Sequence, residues 1–286
     1  MSEATTLADV QYQIQTFWSP LFMKELRESL LLGALVNKDY DGEIKKKGDT
    51  VRVSQINAPS GELKTVGTDA DTFSAEAMST SYVDIKADKR AVAAYEVEDL
   101  VDIQSQIGNQ DSEVRASLLY AVQKQINDYL YTLVSPSAAT PDHILNGITD
   151  MNAAQVSAVR LLAAQAKWLK NKPWYALLDP SYYSDVLDDT TLSSTEYGAT
   201  DVPIIGGELG LKRFGFTMYE DNSRSTDYGL FFHPDFLHLV MQTMPSFKIS
   251  DLHSNKQFGY VLSVDLVFGG KLGIDGDVKH IKVYNT

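Results

Sequence analysis

Apolar residues recur at helical spacing in several stretches of the chain. In the clearest stretch, 111–134, the apolar positions fall three or four residues apart and therefore share one face of a helix. These positions are Val114, Leu118, Val122, Ile126, Tyr129, Leu130 and Leu133. At ~1.5 Å per residue this helix is roughly 35 Å long, which exceeds the average helix. The same spacing predicts helices over about 20–32, with Gly33 near the end, from Thr149-Asp150 to before Pro173, and over 180–187.

Alternation of apolar and polar residues predicts the strands. Residues 50–56 alternate in this way, and 82–87 are their expected partner strand. Further strands are predicted over 91–97, 174–178, 211–219, 229–232, 258–268, 272–274 and 278–284, and 234–241 fits a strand or a helical turn.

Two long polar segments interrupt these patterns. Residues 57–81 are mostly Ser, Thr, Asp, Gly and Ala, and 25 residues is too long for an ordinary loop in a compact domain. The segment is either a surface excursion or an extended hairpin that projects from the domain and packs on something else. A second polar segment covers 188–207, and residues 1–16 are polar without periodicity, which is typical of an arm.

The composition excludes several classes of protein. The 286 residues carry 25 basic and 38 acidic side chains, a formal net charge of −13, which disfavours tight sequence-specific nucleic-acid binding. The absence of cysteine excludes disulfides, thiolate zinc sites, iron–sulfur clusters and cysteine nucleophiles. The N-terminus lacks the pattern of a signal peptide, and no apolar run approaches the ~20 residues of a membrane span. These features predict a soluble intracellular protein.

Motifs for catalysis are missing from the sequence. It contains no glycine-rich nucleotide-binding motif, no GxSxG motif and no HExxH motif. His233 and His238 lie close in sequence, and an apolar setting favours packed structural histidines over a metal or acid–base role. Asp275-Gly276-Asp277 fits a tight β-turn better than a fragment of a cation loop. No catalytic residue, cofactor or metal is predicted.

Paired carboxylates are also present, but they are weak evidence for a catalytic site. Glu98 with Asp99, and Asp188 with Asp189, are pairs of the kind that glycosidases use. Neighbours in sequence point to different sides of an element, however, and such pairs are common in any acidic chain. We therefore expect no catalysis there.

Residues 30–53, LLLGALVNKDYDGEIKKKGDTVRV, resemble the N-terminal region of tailed-bacteriophage major capsid proteins. In that family an apolar helix precedes a conserved passage that leads into the first strand. The matching positions here are Val36, Asn37, Tyr40, Gly42, Glu43, Ile44, Gly48, Asp49, Thr50 and Val51. A second passage, 83–106, is similar to the family's strand, acidic link and entry to the long helix. The order of elements agrees over roughly residues 17–286.

The resemblance implies the Hong Kong 97-type capsid fold, an α+β fold with an N-terminal arm, an extended β-hairpin loop, a peripheral domain with a long spine helix and an axial domain. The resemblance implies four divisions of the chain. The arm and first helix are 1–36, and the extended-loop region is 37–98. The peripheral domain is 99–150 with 236–270 and contains the spine helix 111–134, and the axial domain is 151–235 with 271–286.

The implied function is that of a major head protein, without enzymatic activity. Such a protein self-assembles as pentamers and hexamers into an icosahedral shell around the double-stranded DNA genome, which it encloses without sequence-specific binding. Scaffolding, portal and decoration proteins are the implied partners. The implied location is the virion capsid, after synthesis in the host cytoplasm, with no membrane association. Two alternatives stay open: the shell of a cellular encapsulin-type nanocompartment, and an acidic two-domain hydrolase.

Charged residues and one tyrosine are the candidates for subunit contacts. The basic candidates, expected to meet acids of 96–113 or 188–208 on neighbouring subunits, are Lys45, Lys46, Lys47, Arg52 and Lys64. The other candidates are Glu62, Glu98, Asp99, Glu196 and Tyr197. The alternative for each of them is a solvated surface position, because exposed ion pairs are individually weak. Deletion of Ser60–Thr80 is expected to leave a folded subunit that does not assemble.

Overall fold

A computed structural model describes residues 27–28, 30–41, 43, 50–65, 75–98, 111–193, 211–224, 227–252 and 258–285. The helices in these ranges are α1 (Leu32–Leu35), α2 (Asp111–Thr132), α3 (Ala153–Gln165), α4 (Pro180–Asp188) and α5 (Thr190–Ser193). The strands are β1 (Thr50–Ile56), β2 (Thr80–Lys86), β3 (Lys89–Glu98), β4 (Ile144–Asn146), β5 (Trp174–Leu178), β6 (Leu211–Arg213), β7 (Phe216–Glu220), β8 (Tyr228–Phe232), β9 (Leu237–Met241), β10 (Ser246–Asp251), β11 (Gly259–Leu272) and β12 (His280–Tyr284). A 3₁₀ turn, Pro234–Phe236, precedes β9.

A six-stranded mixed sheet separates two hydrophobic cores. Its strand order is β4-β12-β8-β5-β7-β6. Leu177 and Phe232 are buried in the core that includes α2, whereas Ala176 and Phe231 are buried in the core that includes α3 and α4. Successive residues of a strand point to opposite faces, so a strand covered on both faces is apolar throughout. This explains the continuous apolar run of β5.

The second sheet is built around the long strand β11. Its first part pairs with β3 on one side and β10 on the other, and its second part pairs with β9. On this sheet Asp265 accepts hydrogen bonds from Arg90 of β3 and from Lys248 of β10, which hold the pKa of Asp265 well below its usual range. The side chain of Gln125 on α2 donates to the carbonyl of Val92 at 3.0 Å and accepts from its N–H at 3.3 Å. It therefore satisfies the backbone hydrogen-bond donor and acceptor of this residue of β3.

The β1–β2 hairpin crosses β11 at a glycine. A Cβ atom added to Gly269 would lie 1.9 Å from the carbonyl oxygen of Lys86, at the end of β2. Only a residue without a side chain permits this approach of two backbones. A third, small apolar cluster fills the space beside this crossing, where Ile85 and Val240 are buried against Val51 and Tyr40.

The predicted helix over 20–32 is wrong in its described part. Residues 20–26 lie outside the described residues, but 27, 28, 30 and 31 are not helical, and Gly33 lies inside the short helix α1. Contacts with α2 determine the path instead. Arg27 Nη1 donates to the carbonyl of Ala116 at 3.3 Å, and the N–H of Glu28 donates to the hydroxyl of Tyr120 at 3.1 Å. Tertiary contacts of this kind commonly override helix propensity.

The other elements lie close to their predicted positions, with four differences in extent. The largest is in the helix predicted from Thr149-Asp150 to before Pro173, which begins at Ala153 and ends at Gln165. The predicted strand 211–219 is a hairpin, β6–β7, because Phe214 and Gly215 adopt positive φ angles of 49° and 88° at the turn. The predicted strands 258–268 and 272–274 are one continuous strand, β11. The predicted helix 111–134 ends at Thr132.

We predict that Gly269→Ala lowers the free energy of unfolding by about 2 kcal/mol or more, because the new methyl group collides with backbone rather than with a movable side chain. The matched control is Gly33→Ala, whose Cβ would lie 3.7 Å from Leu130 in ordinary van der Waals contact. That control should be neutral or slightly stabilising. Urea unfolding followed by circular dichroism measures both variants, and equal stabilities would contradict the proposed role of the crossing.

Candidate assembly surface

The β1–β2 hairpin is buried at one end and exposed at the other. Its register pairs Val51 with Ile85 and Val53 with Val83, which places these four side chains on one face. Burial decreases along the hairpin: Ile85 is buried, Val51 and Val53 are half-buried, and 54–56 are exposed. Seven residues per strand correspond to roughly 24 Å at ~3.4 Å per residue. The base of the hairpin therefore belongs to the core and its far half projects.

The two chain segments that leave the hairpin remain side by side. The N–H of Asn57 donates to the carbonyl of Ser79 at 3.0 Å, one residue beyond the last strand pair. Further out, the hydroxyl of Ser60 donates to the carboxylate of Glu76, and so does its N–H at 3.0 Å; these two bonds lower the pKa of Glu76. The extension predicted from the polar segment 57–81 is therefore present in 57–65 and 75–79, while 66–74 lie outside the described residues.

Apolar side chains on this extension and at the end of β1 face solvent. Leu63 is fully exposed, Met78 is 76 % exposed, and Ile56 is 67 % exposed. Isolated exposed apolar residues are ordinary, but three on one projecting element are typical of a surface that binds another chain. Sequence reasoning missed these residues because it concentrated on charge. The signal was available, since Leu63 and Met78 are the largest apolar residues of an otherwise polar segment apart from an aromatic, Phe73.

Arg52, a predicted contact residue, has a partner within its own hairpin. Its guanidinium donates to both carboxylate oxygens of Asp84, from Nε at 2.7 Å and from Nη2 at 2.9 Å. It also stacks 4.3 Å from the ring centroid of Tyr82. The ion pair raises the pKa of Arg52 and lowers the pKa of Asp84. The side chain of Arg52 therefore links β1 to β2 within the hairpin.

The remaining predicted contact residues are only partly described. Glu62 and Lys64 form an ion pair with each other at 3.4 Å on the extension. Glu98 is the last residue of β3, opposite Gly259 of β11. The other predicted residues lie outside the described part of the chain: Lys45, Lys46, Lys47, Asp99, Glu196 and Tyr197. The structure therefore brings Arg52, Glu62 and Lys64 onto one projecting element.

Comparison with solved protein structures identifies the fold of this chain. No family model matches the chain, and no curated protein matches it in sequence. Among solved structures, a capsid structure of the cyanophage P-SCSP1u superposes with a TM-score of 0.73 at 14 % identity, covering 97 % of this chain and 94 % of that one. The capsid asymmetric unit of the cyanophage Pam1 gives 0.69 at 14 % identity, with coverage of 100 % and 98 %. A structure from Mycobacterium phage Che8 gives 0.73 at 18 % identity, with coverage of 94 % and 96 %.

The chain has the phage capsid fold. This confirms the α+β capsid fold predicted from the sequence resemblance, over essentially the whole length of both chains. The division into arm, extended-loop region, peripheral domain and axial domain stays a prediction.

Several of the described candidate groups for chemistry have structural roles in this fold. Asp275 and Asp277 lie in the turn 274–278 between β11 and β12, in which the N–H of Val278 donates to the carbonyl of Asp275 at 3.2 Å, as predicted. Asp189 accepts from the N–H groups of Ala153 and Thr191 at helix starts. In the described part of the chain, no helix is long and apolar enough to cross a bilayer, and no group of three potential ligands could hold a metal ion.

The four histidines that the structure describes, His143, His233, His238 and His280, are buried, as predicted for His233 and His238. His280 is completely buried beside His143 and near Asp277, and its Nδ1–H donates to the carbonyl of Gly276 at 2.6 Å. The carbonyl only accepts, so in the neutral ring the Nε2 of His280 is the acceptor, and it has no hydrogen-bond partner in the described structure. Burial lowers the pKa of His280 to about 4 and also lowers those of His233 and His238.

We predict that this protein loses stability as the pH falls from about 6.5 towards 4. The unfolded chain binds protons on these histidines below their ordinary pKa of 6.5, whereas the folded chain resists protonation, so the stability is complete above pH 6.5. For His280 alone the loss is on the order of 2 kcal/mol at about pH 5.

The variant that checks this prediction is His280→Asn, whose side-chain amide can still donate to Gly276 but does not titrate. Chemical unfolding at about pH 5 and pH 7.5 should show a smaller loss in the variant than in the wild type. Carboxylates contribute equally to both chains, so they cancel in this comparison. An unchanged loss would show that His280 is not the titrating group.

Proposed function

We propose that this chain is the major capsid protein of a tailed bacteriophage, which self-assembles into the icosahedral head shell around the double-stranded DNA genome. The observation that carries the proposal is agreement with capsid chains over nearly the full length of both partners, 97 % and 94 % in one case and 100 % and 98 % in another. A fold can be shared between functions. The proposal therefore also rests on the surfaces of this chain.

The projecting hairpin supports a role in assembly. It carries exposed Leu63 and Met78 on an extension that is fixed to the core at Gly269. Apolar area exposed on a single subunit becomes favourable when a second subunit covers it, at ~25 cal/mol per Å². We infer that the hairpin lies across a neighbouring subunit in pentamers and hexamers.

The charged residues named from the sequence belong to the same proposal. Glu62 and Lys64 lie on the extension, and Lys45, Lys46, Lys47, Arg52, Glu98, Asp99, Glu196 and Tyr197 are proposed as further contact residues. Because Arg52 already pairs with Asp84, its proposed contribution is to keep the hairpin straight and present Tyr82. Contacts that are individually weak add up across a closed shell.

The net charge of −13 supports a container for DNA rather than a binding protein for it. Duplex phosphates and a shell of negatively charged subunits repel each other, so the packaged genome would not adhere to the shell. The proposal includes a non-enzymatic, structural role in the virion, synthesis in the host cytoplasm, and scaffolding, portal and decoration proteins as partners.

The direct test is microscopy of the protein produced on its own. We expect closed shells or rings of capsomers in negative stain. Finding the chain in particles that protect DNA from nuclease would distinguish a viral head from a cellular shell filled with cargo protein. A stable monomer that turns over a substrate would contradict the proposal.

We predict that the double variant Leu63→Ser, Met78→Ser folds normally but assembles poorly. Both side chains are exposed in the subunit, so the melting temperature should not change, whereas the contact with a neighbour loses its apolar area. Light scattering measures assembly, and circular dichroism measures folding. The matched control is Leu63→Met, Met78→Leu, which keeps the apolar surface and should assemble as the wild type does. Wild-type assembly by the serine variant would contradict the role of the hairpin.

A further inference from the structure

A basic pocket lies at the C-terminal end of α3, beside the core that includes α3 and α4. The β1–β2 hairpin does not belong to this core. Its volume is about 360 Å³, and its lining includes Arg160, Lys170, Lys172, Trp174 and Gly215. The guanidinium of Arg160 lies 4.5 Å from the ring centroid of Trp174, which fixes its orientation. The stretch 160–172 contains four basic residues and no acidic one, in a chain whose net charge is −13. The pocket is therefore positively charged, although the chain as a whole carries a negative net charge.

Two of the three cations in the pocket have no internal counter-charge. Lys172 pairs with Asp235 at 2.9 Å and with Asp39 at 3.3 Å, and these contacts raise its pKa. Arg160 and Lys170 form no ion pair with any residue that the structure describes. Their charges are available to an anionic group that enters the pocket.

Three exposed apolar residues adjoin the lining of the pocket in sequence. Leu161, Leu169 and Phe214 are 59 %, 61 % and 43 % exposed, and each is the immediate neighbour in sequence of a residue that lines the pocket. A small anion such as phosphate gains nothing from apolar surroundings. Apolar and aromatic side chains around an arginine are instead typical of protein interfaces.

The opposite end of α3 is acidic. The carboxylate of Asp185 accepts from the N–H of Met151 at 3.0 Å, and that of Asp189 accepts from the N–H of Ala153 at 2.7 Å. Asp150 and Asp188 are exposed close to these two residues in sequence. The 13 residues of α3 span roughly 20 Å at ~1.5 Å per residue. This part of the subunit is therefore polarised along α3, with acids at one end and free cations at the other.

We propose that the basic pocket binds the acidic end of α3, at Asp150 and Asp188, on a second copy of the same chain. The contact joins two different surfaces, so it is heterologous, and its repetition closes into a ring when the rotation between copies permits. Nucleic acid is a poorer occupant, because phosphates would approach a subunit of charge −13 and would not use the apolar residues around the pocket. The inference rests on the proposed function, since it assumes that copies of the chain assemble.

The test is a charge swap in the full-length chain. Arg160→Glu with Lys170→Glu should raise the subunit concentration needed for assembly by about tenfold or more, because acids then face acids. Adding Asp150→Lys and Asp188→Lys to the same chain should restore assembly. Lys271→Glu, at an exposed cation on β11, is the matched control and should behave as the wild type. Circular dichroism melting verifies that each variant is folded, and Lys170→Glu alone provides a milder variant if the double change unfolds the chain.

The outcomes separate this inference from the proposed function. Wild-type chains that form no shells would contradict the function itself, and with it this contact. Shells formed equally well by the wild type and the Arg160→Glu, Lys170→Glu variant would contradict only the pocket contact. Loss of assembly that the second pair of changes does not restore would also overturn it. So would binding of a short DNA duplex that the variant loses while its assembly is unaffected, since that result would assign the pocket to nucleic acid.

Discussion

The arrangement of the whole subunit depends on the close contact between Gly269 and the carbonyl of Lys86. At this point the base of the β1–β2 hairpin lies directly on the backbone of β11, and no side chain separates the two. β11 is the strand that pairs with β3, β9 and β10, and the turn after it leads into β12 of the other sheet. The hairpin is consequently fixed to the element that connects both sheets. A projecting element can orient a partner only if its base is rigid, and a backbone-to-backbone contact in a packed interior provides that rigidity.

The six-stranded sheet adds a second constraint, because one set of strands serves two cores. Leu177 and Ala176 are adjacent on β5 yet belong to different cores. A change on either face shifts a strand that the other core also uses, so the two halves of the subunit are mechanically coupled. The buried histidines are consistent with this arrangement. The ring of His280 lies 4.8 Å from that of Phe236 in the α2 core, while its strand neighbour Ile281 is buried in the α3 core.

Much of the fold could be predicted from the sequence because its signals are local. The pairing of 50–56 with 82–87 followed from matched alternation, and the register of Val51 with Ile85 confirms it. The predicted helix over 20–32 is wrong in its described part because Arg27 and Glu28 are held by α2, some 90 residues away in sequence, and no local pattern encodes such contacts. The role of Gly269 could not be predicted either, because a glycine in a strand does not indicate which backbone approaches it. The basic stretch 160–172 is visible in the sequence, but its convergence with Gly215 depends on the β6–β7 turn.

A chain of net charge −13 must overcome repulsion between its own copies in order to assemble. Screening at physiological ionic strength, with a Debye length of ~8 Å, removes most of the repulsion between distant charges but little of the attraction between groups in direct contact. Assembly is therefore favoured by concentrating opposite charge and apolar area at a few places and leaving the remaining surface acidic. The hairpin, with Leu63 and Met78, and the basic pocket, with Arg160 and Lys170, have this character. They lie on different cores of one coupled subunit, so contacts at one are held in a fixed geometry relative to contacts at the other, as a closed shell requires.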